Sequence, residues 1–296
     1  MINSMRKLTI DQRTSILRCL TEGNSINSTA RICSTSKLTV LRLLADVGTL
    51  CADLHNELVR NLDSRKVQVD ELWSFVGCKG KSKKAGKIGD GDCWTWVGID
   101  ADSKLVVSYL VGLRELSYAR DFIDDIAGRL KHRVQLTSDG LTMYVSAVLD
   151  SFGTDGVDFA QLIKLYGPSE DRAGQGRYSP SECIGCVVRP TLGEPDPRHI
   201  STSYSERMNL TTRMCNRRFT RLTNAFSKKW RNHEHAISLH YFVYNFCRKH
   251  LTLGTTPAVA VGVTDRLWKI EDLVGMLVER ESENKCHGRI NRADRT

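Results

Sequence analysis

The sequence predicts an α/β protein, a mixed five-stranded sheet flanked by helices and preceded by a small all-α helix-turn-helix domain. Two observations carry that expectation. Between residues 66 and 167, short β-branched and aromatic runs alternate with helical patterns. Ahead of them, residues 8–47 fall into three short helical segments marked by capping residues. A length of 296 residues allows about two domains, one with a full core.

The first part reads as residues 1–50. Thr9 is placed to cap a helix that closes at Gly23, Ile26 to Ile32 makes a shorter second helix with Ala30 at a tight packing position, and a third begins at Lys37. This rhythm is that of a helix-turn-helix, whose last helix lies in the DNA major groove. Ser36, Lys37, Thr39 and Arg42 then face DNA, and the inward-packing residues fall among Leu38, Val40 and Leu41. An ordinary three-helix cap is the rival reading of this segment.

Residues 51–65 read as a linker, and residues 66–254 as the larger domain. Its strands are KVQVDELWSFVG, CWTWVGIDA, KLVVSYLVGL, RVQLTSD and FAQLIKLYG; its helices are SYARDFIDDIAGRL and LTMYVSAVLDSF. The first three strands, joined by short loops, are expected to be antiparallel, and the later ones, reached through helices, parallel. Residues 168–202, rich in Gly, Pro and charge, read as a surface loop. Helical periodicity returns from Ser203 to about Arg218 and from His233 to about Leu251, and 255–296 forms a helical tail.

Three carboxylates stand out on this framework. Asp70 lies in the first strand, Asp139 at the Ser-Asp-Gly corner that ends the fourth, and Glu206 on the helix that follows the loop. Asp70 and Asp139 can be neighbours on such a sheet, and with Glu206 they can cage two hard divalent ions, Mg2+ or Mn2+, for displacement at phosphorus. Glu71 adjoins Asp70 but points to the opposite face of a regular strand, so it is not expected to share the ion.

Charge agrees with a polyanionic partner. The formal net charge is +9 and the pI about 9.1. From Glu206 to Arg231 eight basic residues, among them Arg213, Arg217, Arg221 and Lys228, face a single acidic one. On a continuous helix Arg213 and Arg217 lie about 20° either side of Glu206, and Arg221 about 60° away. A Gly/Ser/Lys-rich loop carrying Lys79, Lys81, Lys83, Lys84 and Lys87 follows the Asp70 strand. Either run alone is as well explained by a solvated surface.

The chain has no apolar stretch of membrane-spanning length and no apolar signal core at its start, so a soluble, cytoplasmic, nucleoid-associated protein is expected. Ten scattered cysteines read as reduced core residues. Cys183 and Cys186, with His199 further on, superficially suggest zinc but lack a second ligand pair. His233, His235 and His240 read as packing or surface residues, with His233 or His235 able to touch phosphate. Trp73, Trp94 and Trp96 read as core, and Asp100, Asp102, Asp121, Asp124 and Asp125 as solvated.

DELW in a strand, TSDG at a strand end, and SERMNLTTR followed by a basic stretch and AFSK resemble the transposases of the Insertion Sequence One family, DDE enzymes with a ribonuclease H-like catalytic domain. The resemblance spans roughly residues 66–250, and TPAVAVGVTDRLWKIEDLVGMLVE resembles tails found in such enzymes. It implies that Asp70, Asp139 and Glu206 are the catalytic metal-binding triad, with Asn209 and Arg213 accompanying the Glu. It further implies double-stranded DNA, element ends and target alike, as partner, and a homo-oligomer assembled on DNA. Some relatives carry an N-terminal zinc module; with only Cys19 and Cys33 in residues 1–50, none is expected here. The competing readings are a stand-alone ribonuclease H-like nuclease, which lacks strand transfer, and a non-enzymatic helix-turn-helix transcription regulator.

Overall fold

The N-terminal elements form where their caps require. In the computed structural model, which describes residues 8–80, 89–167, 183–220 and 223–293, α1 spans Ile10–Thr21, and its Thr9 cap forms a capping box with Gln12. Ser25 caps α2 (Ile26–Ile32) and Ser36 caps α3 (Lys37–Leu58). Val40, Leu43, Leu44 and Val47 of α3 are buried at helical spacing. Three expectations change. Ser36 is spent on capping, its Oγ accepting from the Thr39 N–H at 3.0 Å, and Leu38 is 54% exposed because it lies off the buried stripe. The linker expected at 51–65 is helical through Leu58, since Leu50, Cys51 and His55 continue the apolar face.

The chain divides into two compact units. The first comprises Met1–Val59, Ser74–Asp92 and Leu210–Thr296, the second Arg60–Trp73 and Cys93–Asn209. The N-terminal helices thus share a unit with the C-terminal ones. In it α3 packs along α7 (Trp230–Phe242) and α1 along α9 (Ile270–Ala293). Gly48 makes the α3–α7 approach possible: a Cβ there would lie 2.4 Å from that of His235. A π-helical turn at Val243–Cys247 and the short α8 (Pro257–Ala260) complete the unit, where Phe242, Phe246 and Trp268 cluster.

The sheet has six strands rather than five, in the order β3-β2-β1-β4-β5-β6. They are β1 (Lys66–Val76), β2 (Gly91–Asp100), β3 (Val106–Gly112), β4 (Val134–Ser138), β5 (Val157–Tyr166) and β6 (Cys183–Leu192). The sixth comes from the stretch expected to be loop. Its CIGCVVRPTL run is β-branched enough to add an antiparallel edge to β5, and Pro190 sits where an edge tolerates it. As expected, β2 and β3 are antiparallel, and β4 lies parallel to both β1 and β5. This is the expected mixed, helix-flanked sheet with one further edge strand.

Helices α4 (Leu116–Ala127) and α5 (Met143–Phe152) pack together in the second unit. Trp96 from β2 stacks between Phe122 and Tyr144 beneath them, all three fully buried. Trp96 is core as expected, whereas Trp94 is half-buried and carries Arg114 over its ring. Asp100 is not a solvated turn residue. It is 2% exposed and accepts from the Asp102 and Ser103 N–H groups, closing the β2–β3 turn. Asp125 is held by Arg129 and Ser108.

The basic helix ends earlier than its pattern suggests. Helix α6 spans Ser203–Cys215, Asn216 is extended, and Arg217–Phe219 form a separate 3-10 turn. Arg213 therefore stays on α6, but the angular coincidence of Arg217 with Glu206 does not hold. The Asn216 side chain accepts from the Arg218 N–H and donates to the Ala236 carbonyl, which explains the break. Lys81, Lys83, Lys84, Lys87 and Arg221 lie outside the described residues. No described helix is long and apolar enough to cross a membrane.

His233 cannot touch phosphate. It is fully buried between the hydroxyls of Ser74 and Ser227, at 3.0 and 2.8 Å, and burial, aided by the Arg218 charge, lowers its pKa to about 3. Burial lowers that of His240 to about 3 as well, with the Arg248 charge adding. The unfolded chain binds these protons near pH 6.5 and the folded one does not. Stability is thus fully present above pH 6.5 and lost as pH falls toward 3, by roughly 3 kcal/mol per histidine at pH 4. In denaturant unfolding at pH 7 and pH 4, the double change His233→Gln/His240→Gln is expected to flatten this acid loss.

Candidate metal centre

Parallel pairing brings the two aspartates together. Lys66, Val67 and Gln68 of β1 lie opposite Gln135, Leu136 and Thr137 of β4. Carried two residues on, that register sets Asp70 beside Asp139, just past the last residue of β4. The chain turns there, and the turn is braced. The Asp139 Oδ1 accepts from the Leu141 N–H at 2.9 Å, while Gln161, buried on β5, donates to the carbonyls of Asp139 and Leu141 at 2.9 and 3.0 Å.

Alternate residues of β1 serve its two faces. On one, the Gln68 side-chain Oε1 accepts from the N–H groups of Tyr204 and Ser205, at 2.8 and 3.2 Å, and so anchors the first turn of α6. One turn on, Asn209 Nδ2 donates to Asp70 Oδ2 at 2.8 Å. Asn209 is 6% exposed, so its amide positions Asp70 and does not face solvent as a DNA contact would. On the other face Glu71 meets Arg114, whose Nε donates at 2.8 Å, and the Tyr144 hydroxyl at 3.2 Å.

The expected alternation therefore holds, yet Glu71 is not remote from the centre. One oxygen each of Asp70, Glu71 and Asp139 lies within 4.8 Å of the others, the only such group of three metal-ligating side chains among the described residues. The inference that excluded Glu71 treated the strand alone; Asp139 approaches from the end of the next strand and is reached from either face. No signal in the sequence could place it there.

Electrostatics mark the centre as short of positive charge. Burial first, then the charge of Glu71, with Asp139 and Glu206 adding, raise the Asp70 pKa to about 7 against the Glu71 N–H it accepts. Burial and Asp139 also raise that of Glu71, against the opposing Arg114 and Tyr144. An all-carboxylate donor set with this repulsion suits a hard divalent cation, and Asp70 and Asp139 fit one.

Glu206 stands apart from that group. Its Oε1 accepts from the Thr202 hydroxyl at 2.6 Å and is ion-paired with Lys164 of β5. Burial opposes it, but the hydrogen bond and charge of Glu206 hold the Lys164 pKa up. Cys183 and Cys186 are exposed free thiols on β6, and His199 lies beside Asp196, 3.8 Å away. Of the expected DNA contacts, Lys37, Arg42, Arg217 and Lys228 are exposed, and Thr39 and Arg213 are half-buried.

No protein-family model matches the sequence, and no curated protein is similar to it. Solved structures with similarity include transposases. They include the Mos1 transposase paired-end complex with the left transposon end (14% identity, 54% of this chain and 61% of that chain, TM-score 0.24). The Mos1 strand transfer complex (15%, 54% and 60%, 0.24) and the piggyBac transposase synaptic complex with hairpin DNA (9%, 92% and 71%, 0.41) are others. The chain spans about three fifths of the Mos1 chains it matches.

Replacing Asp139 by Asn keeps the acceptor for Leu141 and removes one of the crowded charges. In chelator, Asp139→Asn is expected to raise thermal stability by about 1 kcal/mol. Mg2+ or Mn2+ is expected to raise the melting temperature of the unaltered protein much more than that of the variant, and equal shifts in the two would remove Asp139 from the centre.

Proposed function

We propose that this protein is a DNA transposase of the DDE type, resembling the Insertion Sequence One family, that cuts DNA at element ends and joins the freed 3′ ends to target DNA. The observation that carries the proposal is the meeting of Asp70 and Asp139 on neighbouring parallel strands, half-buried, mutually repelling and, among the described residues, without a cation paired to either. Two Mg2+ or Mn2+ ions bound by the triad would supply the Lewis acidity that phosphodiester displacement needs.

The residues of the chain then have distinct tasks. Asp70 and Asp139 hold the cations, and Asn209 fixes the Asp70 carboxylate from α6. Gln68 sets the position of α6 and hence of Glu206. Glu206 joins the set when it leaves Lys164, whose freed ammonium can then meet a phosphate oxygen. Arg114 orients Glu71 beside the two aspartates and opposes the rise of its pKa.

In the same proposal the helix-turn-helix binds element ends through Lys37, Thr39 and Arg42, and Arg213, Arg217, Arg221, Lys228, Lys81, Lys83 and Lys84 contact DNA phosphates. In the domain division proposed, residues 1–50, 51–65, 66–254 and 255–296, the connecting segment 51–65 begins with the last turns of α3. The protein acts as a homo-oligomer on double-stranded DNA in the cytoplasm.

Single changes Asp70→Ala, Asp139→Ala and Glu206→Ala are each expected to lower cleavage and strand transfer by at least about 10³-fold while DNA affinity stays within a few-fold. The assay follows both products on a duplex carrying the element end with Mg2+. Cleavage without strand transfer by the unaltered protein would favour the nuclease reading, and full activity in the Asp139 variant would reject the site.

A further inference from the structure

A second site lies in the unit that holds the N-terminal and C-terminal helices. A cleft of about 260 Å3 opens there between the starts of α2 and α3, Arg218 and residues 224–232. Its lining includes three cations, Lys37, Arg218 and Lys228, and three amides, Asn27, Asn224 and Asn232, with no Asp or Glu among the described residues.

Arg218 is the unusual member. Although the residue as a whole is half-buried, its guanidinium end is enclosed, and Nη2 has neither solvent nor a hydrogen-bond partner among the described residues. Nη1 donates to the Ser227 hydroxyl at 2.8 Å. That hydroxyl also bonds the Nδ1 of His233, which is neutral, and among the described residues no carboxylate pairs with Arg218. Burial lowers the Arg218 pKa to about 10, leaving the guanidinium charged at neutral pH.

An enclosed guanidinium with one free arm and no counter-charge is costly unless an anion completes it. The free Nη2 arm can donate to one oxygen of a phosphate, with Nη1 held by Ser227. Lys228, whose ammonium lies over the Phe226 ring, and exposed Lys37 bring two more charges to the mouth of the same cleft.

We propose that this cleft binds a phosphate group, with Arg218 as its enclosed anchor and Lys37 and Lys228 at its rim. The source is a backbone phosphodiester of DNA, a choice that rests on the DNA-binding reading above; the anion chemistry does not. Asn27, Asn224 and Asn232 donate to the remaining oxygens or to the sugar. The cleft is separate from the carboxylate centre in its residues and in its preference for anions over cations.

The test uses the full chain in chelator, with inorganic phosphate as probe and chloride at equal ionic strength and pH as reference. Phosphate is expected to raise the melting temperature of the unaltered protein. The gain should vanish in Arg218→Gln and shrink in Lys37→Gln and Lys228→Gln. Should Arg218→Gln fail to fold, the two exposed lysine variants decide the matter alone. Loss of the phosphate-dependent gain when the protein is saturated with short duplex DNA assigns the cleft to the DNA backbone. In that case each lysine variant makes the log–log salt slope shallower by about 0.9. Persistence of the gain on DNA assigns it to a free phosphate ester. No gain in the unaltered protein, or an equal gain in all variants, overturns the proposal. Because neither divalent ions nor strand chemistry enters the measurement, its failure is read separately from failure of the catalytic reading.

Discussion

The register of β1 against β4 is the constraint on which the carboxylate centre depends. Parallel neighbours in a sheet keep a fixed offset along their lengths, and here that offset sets Asp70 beside Asp139. A slip by one residue would turn Asp70 to the other face of the sheet. Buried side chains on both faces of the strand resist such a slip: Val67, Val69 and Glu71 on one, Gln68 and Leu72 on the other, all within 8% exposure. The same core that stabilises the sheet therefore fixes the chemistry.

Helix α6 extends this dependence to residues far along the chain. Two side chains of β1, Gln68 and Asp70, bind α6 at two points one turn apart, through its first N–H groups and through Asn209. Two bonds to one face of a helix fix its rotation as well as its height. Glu206 lies between those points in sequence, so its position follows from the strand that carries Asp70. Asn209 is better understood as part of this brace than as a group for DNA.

Much of this was legible in the sequence, and the parts that were not share a cause. Helices α1 to α3, strands β1 to β5 and the pairing of Asp70 with Asp139 follow from local patterns: caps, alternation, and crossovers through helices. The sixth strand was missed because its Pro- and Gly-rich flanks hid a β-branched run, and because only the exposed edge of β5 makes it a strand. The end of α6 at Cys215 was missed because Asn216 breaks the helix through bonds to Ala236 and Arg218 that no spacing reveals. His233 and Arg218 needed the tertiary structure for a similar reason. Whether a polar side chain is buried depends on what folds over it.

Charge accounting gives the centre its final logic. Four carboxylates, Asp70, Glu71, Asp139 and Glu206, act on one another electrostatically. Among the described residues, Arg114 is committed to Glu71 and Lys164 to Glu206, each an outlying member. Among the described residues no cation pairs with Asp70 or Asp139. The crowding that no described cation relieves falls on the two residues that the β1–β4 register brings together. The ion pair with Lys164 keeps Glu206 apart from the carboxylate group that the sheet forms at Asp70, Glu71 and Asp139.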